Sequence, residues 1–174
     1  MSDPIDADPF WSVVRRRHPN LDIALLPPTP PAPTLSGLPP RSPEPFARSH
    51  LADSDAVWAR LVGHGMPQTA TRWIPGPTRD SVRHLVTLTL DGVDSALGLG
   101  HLRGTADLLV TDGWRVFTPP TGMPRVTADH DGELGDEHLL IGYAPETRRL
   151  FLRLTSTGLP VDERRAQELI GGTV

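Results

Sequence analysis

The stretch EHLLIGYAPETRRLFLRL, residues 137–154, decides the fold. Its two halves are rich in apolar residues, and APET between them has the composition of a turn. In the second half Leu150, Leu152 and Leu154 stand at every second position, so one side of a strand carries all three leucines. The pattern therefore predicts a β-hairpin of strands 137–143 and 149–154, with its leucines facing a core.

The period of two continues upstream of this hairpin. Thr69–Ile74 predicts one strand, and it ends at a Pro-Gly-Pro sequence. A second strand is predicted over Val82–Leu90. Alternation places four apolar residues on one side of this strand: Val82, Val86, Leu88 and Leu90. We expect that side of the strand to be buried.

The dipeptide Asp112-Gly113 separates LLVT from WRVF by two residues that tolerate a positive φ. Two apolar runs joined by such a dipeptide are typical of a tight hairpin. We therefore predict a second hairpin around Asp112-Gly113.

The segment VDSALGLGHLRG, residues 93–104, is ambiguous between helix and strand. Asp94 or Ser95 is suited to cap a helix, but glycines would then lie inside it. Because each interior glycine costs a helix about 1 kcal/mol, we predict a strand in which Leu97, Leu99 and His101 share a face.

Two segments have the three- and four-residue apolar spacing of helices. Phe46–Gly63 predicts either one bent helix or two short ones, and Pro160–Ile170 predicts a helix that covers the sheet. With the hairpins, this order of elements predicts a single α+β domain over residues 46–174. We expect a mostly antiparallel sheet of about five to seven strands, with helices on one face and a C-terminal helix.

Residues 1–26 predict a separate helix and strand. Asp8-Pro9 is a helix start, since an acidic cap precedes a proline whose missing N–H is not needed. Phe10, Trp11 and Val14 make one side of this helix apolar, and LDIALL, residues 21–26, predicts a short strand. Residues 27–45, in which 9 of 19 residues are proline, predict a semi-rigid linker to the domain.

Composition narrows the classes of function. The chain has no cysteine, which excludes disulfides, thiolate metal sites and a cysteine nucleophile. All 17 basic residues are arginine, as in proteins from high-GC bacteria, and a net charge of −4 with scattered arginines argues against a nucleic-acid partner. No apolar run is long enough to span a membrane, and we expect a cytoplasmic protein. We also predict that the protein has no cofactor.

Two groups of polar residues are weak candidates for a site. His84, His101 and Arg103 are candidates for the lining of a ligand pocket between the sheet and the helices. Asp129, Asp131 and Glu133 offer oxygen ligands to a cation such as calcium, but the glycine of a calcium loop is out of place. A solvated acidic loop explains the second group better, so we predict no metal site.

These observations favour a non-catalytic protein that binds another protein. Phe10, Trp11 and Val14 on the N-terminal helix, or an exposed edge of the sheet, are the predicted contact surfaces. That helix either packs on its own domain or becomes ordered on a partner, and a homodimer through the sheet edge is a further possibility. The alternative hypothesis is a small-molecule-binding protein or an enzyme that uses the pocket.

Overall fold

The computed structural model describes residues 8–18, 20, 38–63, 65–132 and 134–172. The chain divides into two compact units, Met1–Pro31 and Ala32–Val174. The helices are α1 (Pro9–Arg17), α2 (Pro43–Leu61), α3 (Ser95–Thr111) and α4 (Glu163–Gly171). The strands are β1 (Gln68–Pro75), β2 (Ser81–Leu90), β3 (Arg115–Phe117), β4 (Arg125–His130), β5 (Glu137–Ala144), β6 (Arg149–Thr155) and β7 (Leu159–Pro160). The described part of the chain contains no helix that is both long and apolar enough to cross a lipid bilayer.

The strands form one antiparallel sheet in the order β1-β2-β6-β5-β4-β3, and β7 pairs with the start of β2. β5 and β6 form the hairpin predicted from residues 137–154, with Ala144 opposite Arg149. All pairs of neighbouring strands are antiparallel, which confirms the predicted α+β class.

One face of the sheet is covered by the helices of the domain. Leu150, Leu152 and Leu154 of β6 are at most 1% exposed, as the alternation predicts. α2 packs on this face through Trp58 and Leu61, and α3 packs on it through Leu102 and Leu109. Burial of these apolar side chains, at about 25 cal/mol for each Å² removed from water, holds the helices to the sheet. We call this side the covered face.

The C-terminal helix, α4, packs on the covered face where β2 begins. Ala166 of α4 joins a cluster with Val82, Leu159 and Val161, against which Phe46 and Trp73 also pack. The sequence predicted this helix from Pro160, but Pro160 pairs with Ser81 in β7. The helix starts later because the Asp162 carboxylate accepts a hydrogen bond from the Arg165 amide, at 2.8 Å, and so caps it.

The strand predicted for residues 93–104 is wrong, because these residues form most of α3. Asp94 caps the helix and accepts a hydrogen bond from the Leu97 amide at 2.9 Å. Gly98 allows α3 to lie against Tyr143, since a Cβ at this position would stand 2.5 Å from the tyrosine ring. Gly100 and Gly104 face open space. The cost of these glycines to the helix is therefore offset at one position by close packing.

The hairpin predicted at Asp112-Gly113 is also wrong. Residues 108–111 are the last turn of α3, and Asp112 is its C-cap residue. Gly113 has φ +82° and its amide donates to the Val110 carbonyl at 3.1 Å. A positive φ at an Asp-Gly pair is needed both in a tight hairpin and at a helix C-terminus, so the dipeptide alone does not distinguish them.

Helix α1 belongs to the N-terminal unit. The Asp8 carboxylate accepts hydrogen bonds from the amides of Phe10 and Trp11, at 2.9 and 3.1 Å, as the cap prediction requires. The strand predicted at residues 21–26 lies outside the described residues. Pro43–Pro45, which the sequence assigned to the linker, form the first turn of α2. The helix predicted from Phe46 therefore begins three residues earlier, and it is a single helix.

Candidate interaction surface

The sheet face opposite the covered face has no described helix of the domain packed on it. The contacts of the helices between residues 38 and 172 all involve the other side of the strands. We call it the open face. One row of cross-strand neighbours on it runs through Ala70, Thr87, Arg153, Leu140, Thr127 and Phe117. The adjacent row runs through Arg72, Leu85, Thr155, His138, Asp129 and Arg115.

Arg72 and Arg153 flank a hollow of about 270 Å³ on the open face. Both side chains are exposed, and neither makes an ion pair with any residue that the structure describes. Leu85 beside them is only 8% exposed although no helix of the domain covers it. Arginine stems commonly cover apolar surface while the guanidinium stays in water, which accounts for this burial. We call these residues, with Thr87, the arginine hollow.

The arginine hollow also borders an aromatic ring. The Arg153 guanidinium lies 5.8 Å from the centroid of the Phe151 ring, within the range of a cation–π contact. Phe151 is half-buried, and Phe117 on β3 at the far side of the face is 62% exposed. The open face therefore combines free positive charge with apolar and aromatic surface, the residue types that are common in protein interfaces.

The other end of the open face carries charges that are already paired. Arg115 bonds to Asp131 and, at 2.8 Å, to Asp136, and the Asp129 carboxylate contacts the His138 ring. The hydrogen bond from Arg115 lowers the pKa of Asp131, because it stabilises the charged carboxylate. An external anion gains little at this end, since its positive charge is already balanced.

Strand β1 leaves one edge of the sheet unpaired by any described strand. β1 is the first strand in the sheet order, and it is 8 residues long. Its first five residues, Gln68–Arg72, are exposed. An edge of this length offers a row of backbone N–H and C=O groups to an added strand.

The predicted pocket residues do not come together as one group. His84 lies on β2 and is buried, and its Nδ1 is 3.0 Å from Nδ1 of His50 on α2. His101 and Arg103 lie on α3 rather than on a strand. Since a helix turns by about 100° at each residue, their side chains leave α3 on different sides. Arg103 lines a cleft with Asp107, whereas His84 lines a separate cleft with Trp73.

His50 and His84 form a buried hydrogen-bonded pair inside the domain. No motif in the sequence indicates that these two histidines meet. Burial, and secondarily the charge of His84, lowers the pKa of His50 from 6.5 to about 4. Burial also lowers the pKa of His84. The Nε2 atom of His50 has no hydrogen-bond partner and lies 3.9 Å from the nearest carboxylate oxygen of Glu137. Both rings are therefore neutral near pH 7, and one donates to the other.

Two of the three candidate metal ligands, Asp129 and Asp131, bind protein partners. Asp129 contacts His138 and Asp131 contacts Arg115, while Glu133 lies outside the described residues. Over the described ranges of the chain, no three His, Asp or Glu side chains are grouped so that they could hold a metal ion.

The predicted contact residues of the N-terminal helix have one strongly exposed member. Phe10 is 65% exposed, and Trp11 and Val14 are half-buried. The rings of Phe10 and Trp11 meet edge to face, with their centroids 4.9 Å apart. The helix therefore presents an aromatic pair of which one ring is largely open.

Sequence reasoning missed Arg72 and Arg153. They are 81 positions apart and become neighbours only through the register of β1, β2 and β6. The alternation in β6 was the available signal, since it puts Arg153 on the side opposite the buried leucines. Comparison of the chain with protein-family models, with curated proteins and with solved structures finds no match.

Proposed function

We propose that this protein is a non-catalytic interaction protein whose open face receives an extended, acidic segment of a partner protein. The observation that carries the proposal is the arginine hollow, where Arg72 and Arg153 lack a carboxylate partner among the described residues. A carboxylate pair brought by a partner would form charge-assisted hydrogen bonds to both guanidinium groups.

The neighbouring edge strand explains why the partner segment is extended. β1 carries Arg72, and its outer edge is free of any described strand. A segment added to this edge would hydrogen-bond to the backbone of β1. Its alternate side chains would point to the open face, because successive residues of a strand face opposite sides. Acidic residues at those positions would reach the arginine hollow.

The chemistry of the hollow favours binding without catalysis. Arginine remains protonated throughout the physiological pH range, so Arg72 and Arg153 supply charge and hydrogen bonds but transfer no proton. The net charge of −4 favours a protein partner over a nucleic acid, whose phosphates the rest of the chain would repel. The composition of the chain leads us to place this interaction in the cytoplasm of a high-GC bacterium.

The N-terminal helix is the second contact surface in this proposal. Phe10 is 65% exposed and its ring contacts that of Trp11, and Val14 is half-buried. Aromatic residues of this kind are common energetic centres of interfaces. The double substitution Phe10→Ala and Trp11→Ala in the full chain should weaken partner binding, whereas Arg16→Ala on the polar side of α1 should not.

A peptide selection with the full-length protein tests the arginine hollow. We expect a random peptide library to yield sequences that place Asp or Glu at alternate positions. The variant Arg72→Glu/Arg153→Glu should bind the selected peptide at least about tenfold more weakly, since each charged hydrogen bond contributes about 1.5–3 kcal/mol. The peptide should also protect the amides of β1 from hydrogen exchange.

The matched control is Arg48→Glu/Arg79→Glu, which changes the net charge equally at exposed arginines outside the open face. Equal weakening in both variants would contradict the proposal, because it would indicate a general charge effect. Single-stranded oligonucleotides that bind more tightly than the peptide, in competition with it, would assign the hollow to nucleic acid instead. A stable dimer that protects β1 without peptide would assign the edge to a second copy of the chain.

A further inference from the structure

A second concave feature lies beside helix α3, separate from the arginine hollow. It is a cleft of about 620 Å³ between α3 and the connection from β3 to β4, residues 118–124. Clefts that bind small molecules commonly have volumes of about 300–1,000 Å³. We call it the α3 cleft.

The walls of the α3 cleft are mainly apolar. Leu102 and Val126 are buried at 6% and 1% exposure, and Leu99 and Ala106 lie beside them. The opposite wall contributes Pro119, Pro120 and Pro124. Proline restricts the backbone and loses little freedom on ordering, so this wall is suited to keep its shape when a ligand enters.

Three charged side chains also line the cleft, and they do not neutralise one another. Arg103 and Asp107 are one helical turn apart on α3, but no ion pair joins them. Arg125 donates a hydrogen bond to the Met123 carbonyl at 3.1 Å, and it has no carboxylate partner among the described residues. Two arginines and one aspartate leave an excess of one positive charge beside an apolar surface.

We propose that the α3 cleft is a binding site for a small monocarboxylate with an apolar body. The apolar body would lie against Leu99, Leu102 and Ala106, and the carboxylate would accept hydrogen bonds from Arg103 and Arg125. Asp107 disfavours a second negative charge on the ligand, because like charges repel at close range. This site is independent of the arginine hollow, so either one can fail without the other.

A titration of the full-length protein, followed by amide chemical shifts, tests the site with 4-phenylbutyrate and the uncharged 4-phenylbutanol. We expect the carboxylate to shift amides in α3 and in residues 118–126. The alcohol should bind about tenfold more weakly, since it lacks the charged hydrogen bonds. Arg125→Gln and Arg103→Gln should each lower the affinity for the carboxylate but leave the affinity for the alcohol unchanged.

Two control variants keep the result interpretable. Arg48→Gln removes an exposed arginine of α2 outside the cleft and should change neither affinity. Ala106→Trp should fill the cleft and remove the binding of both compounds, with the amide spectrum reporting that the variant is folded. Equal affinities for the carboxylate and the alcohol, or no shifts in α3 at the solubility limit of the carboxylate, would overturn the proposal.

Discussion

The two faces of the sheet differ in what their side chains contribute. On the covered face Leu152 is fully buried, while the next residue, Arg153, points to the open face and is exposed. The covered face is apolar and supplies the burial that stabilises the fold. The open face carries exposed charge, and we expect the core to stay intact when that charge is removed. Substitutions on the two faces should therefore affect different measurements.

The strongest contrast is between Leu152→Ala and Arg153→Ala. The first substitution should lower the free energy of unfolding by about 2–5 kcal/mol, because it removes a buried side chain and leaves a cavity. The second should change stability little, because Arg153 is exposed and forms no ion pair with a described residue. Urea unfolding of the two variants measures both values. Similar losses in the two variants would show that the open face is also part of the core.

The covered face should also make stability depend on pH, through His50 and His84. In the unfolded chain His50 takes up a proton near pH 6.5, but in the folded protein only near pH 4. Stability should therefore fall as the pH is lowered from 6.5 to 4, by about 3 kcal/mol for His50, and the contribution of His50 to this loss is complete below that range. The raised pKa of the half-buried Glu137 opposes part of this loss.

Unfolding measured at several pH values tests this dependence. His50→Phe removes the proton uptake of His50, so its stability should vary less between pH 6.5 and 4 than that of the wild type. Ser49→Ala is the control, because Ser49 is an exposed residue of α2 without a titratable group, and it should keep the wild-type slope. An unchanged slope in His50→Phe would place the dependence elsewhere.

A smaller effect distinguishes two glycines of α3. Gly98→Ala should lower stability by about 1–3 kcal/mol, since its Cβ would stand 2.5 Å from the Tyr143 ring in the core. Gly100→Ala faces open space and should instead raise stability by up to about 1 kcal/mol, because alanine favours a helix. Thermal unfolding of both variants checks the opposite signs. A gain in Gly98→Ala would mean that α3 can shift away from the sheet.

The smallest effect belongs to the paired charges at the far end of the open face. Arg115→Ala should lower the melting temperature less than Gly98→Ala does, because exposed ion pairs contribute little. The difference from the wild type should shrink further in high salt, which screens exposed charges. A loss that persists at high salt would give Arg115 a structural role instead.

The parts of the fold predicted from the sequence are those in which alternation has one interpretation. The β5–β6 hairpin is an example, since Leu150, Leu152 and Leu154 fit only a half-buried strand. Helix α3 was missed because the reason for Gly98 is a contact with Tyr143, which is 45 positions away in the chain. The preference of glycine against helices is local, and tertiary packing overrides it here.

The candidate surface was harder to predict than the fold. The alternation within β6 is enough to predict that Arg153 is exposed. Its proximity to Arg72 can be predicted only if the register of three strands is known. The sequence also gives no sign that Arg115 is paired while Arg72 has no ion-pair partner among the described residues, because the acidic partners of Arg115 lie in the loop that follows β4. Both are exposed arginines in strands, and only their neighbours in space distinguish them.

Tyr143 gives this protein a built-in reporter. It is the only tyrosine in the chain, it is fully buried, and its hydroxyl donates to the Val93 carbonyl at 3.0 Å, next to the start of α3. Incorporation of fluorotyrosine would therefore place a single ¹⁹F nucleus at the contact between α3 and the sheet. One resonance would then report whether α3 remains seated when the protein binds a ligand or a partner.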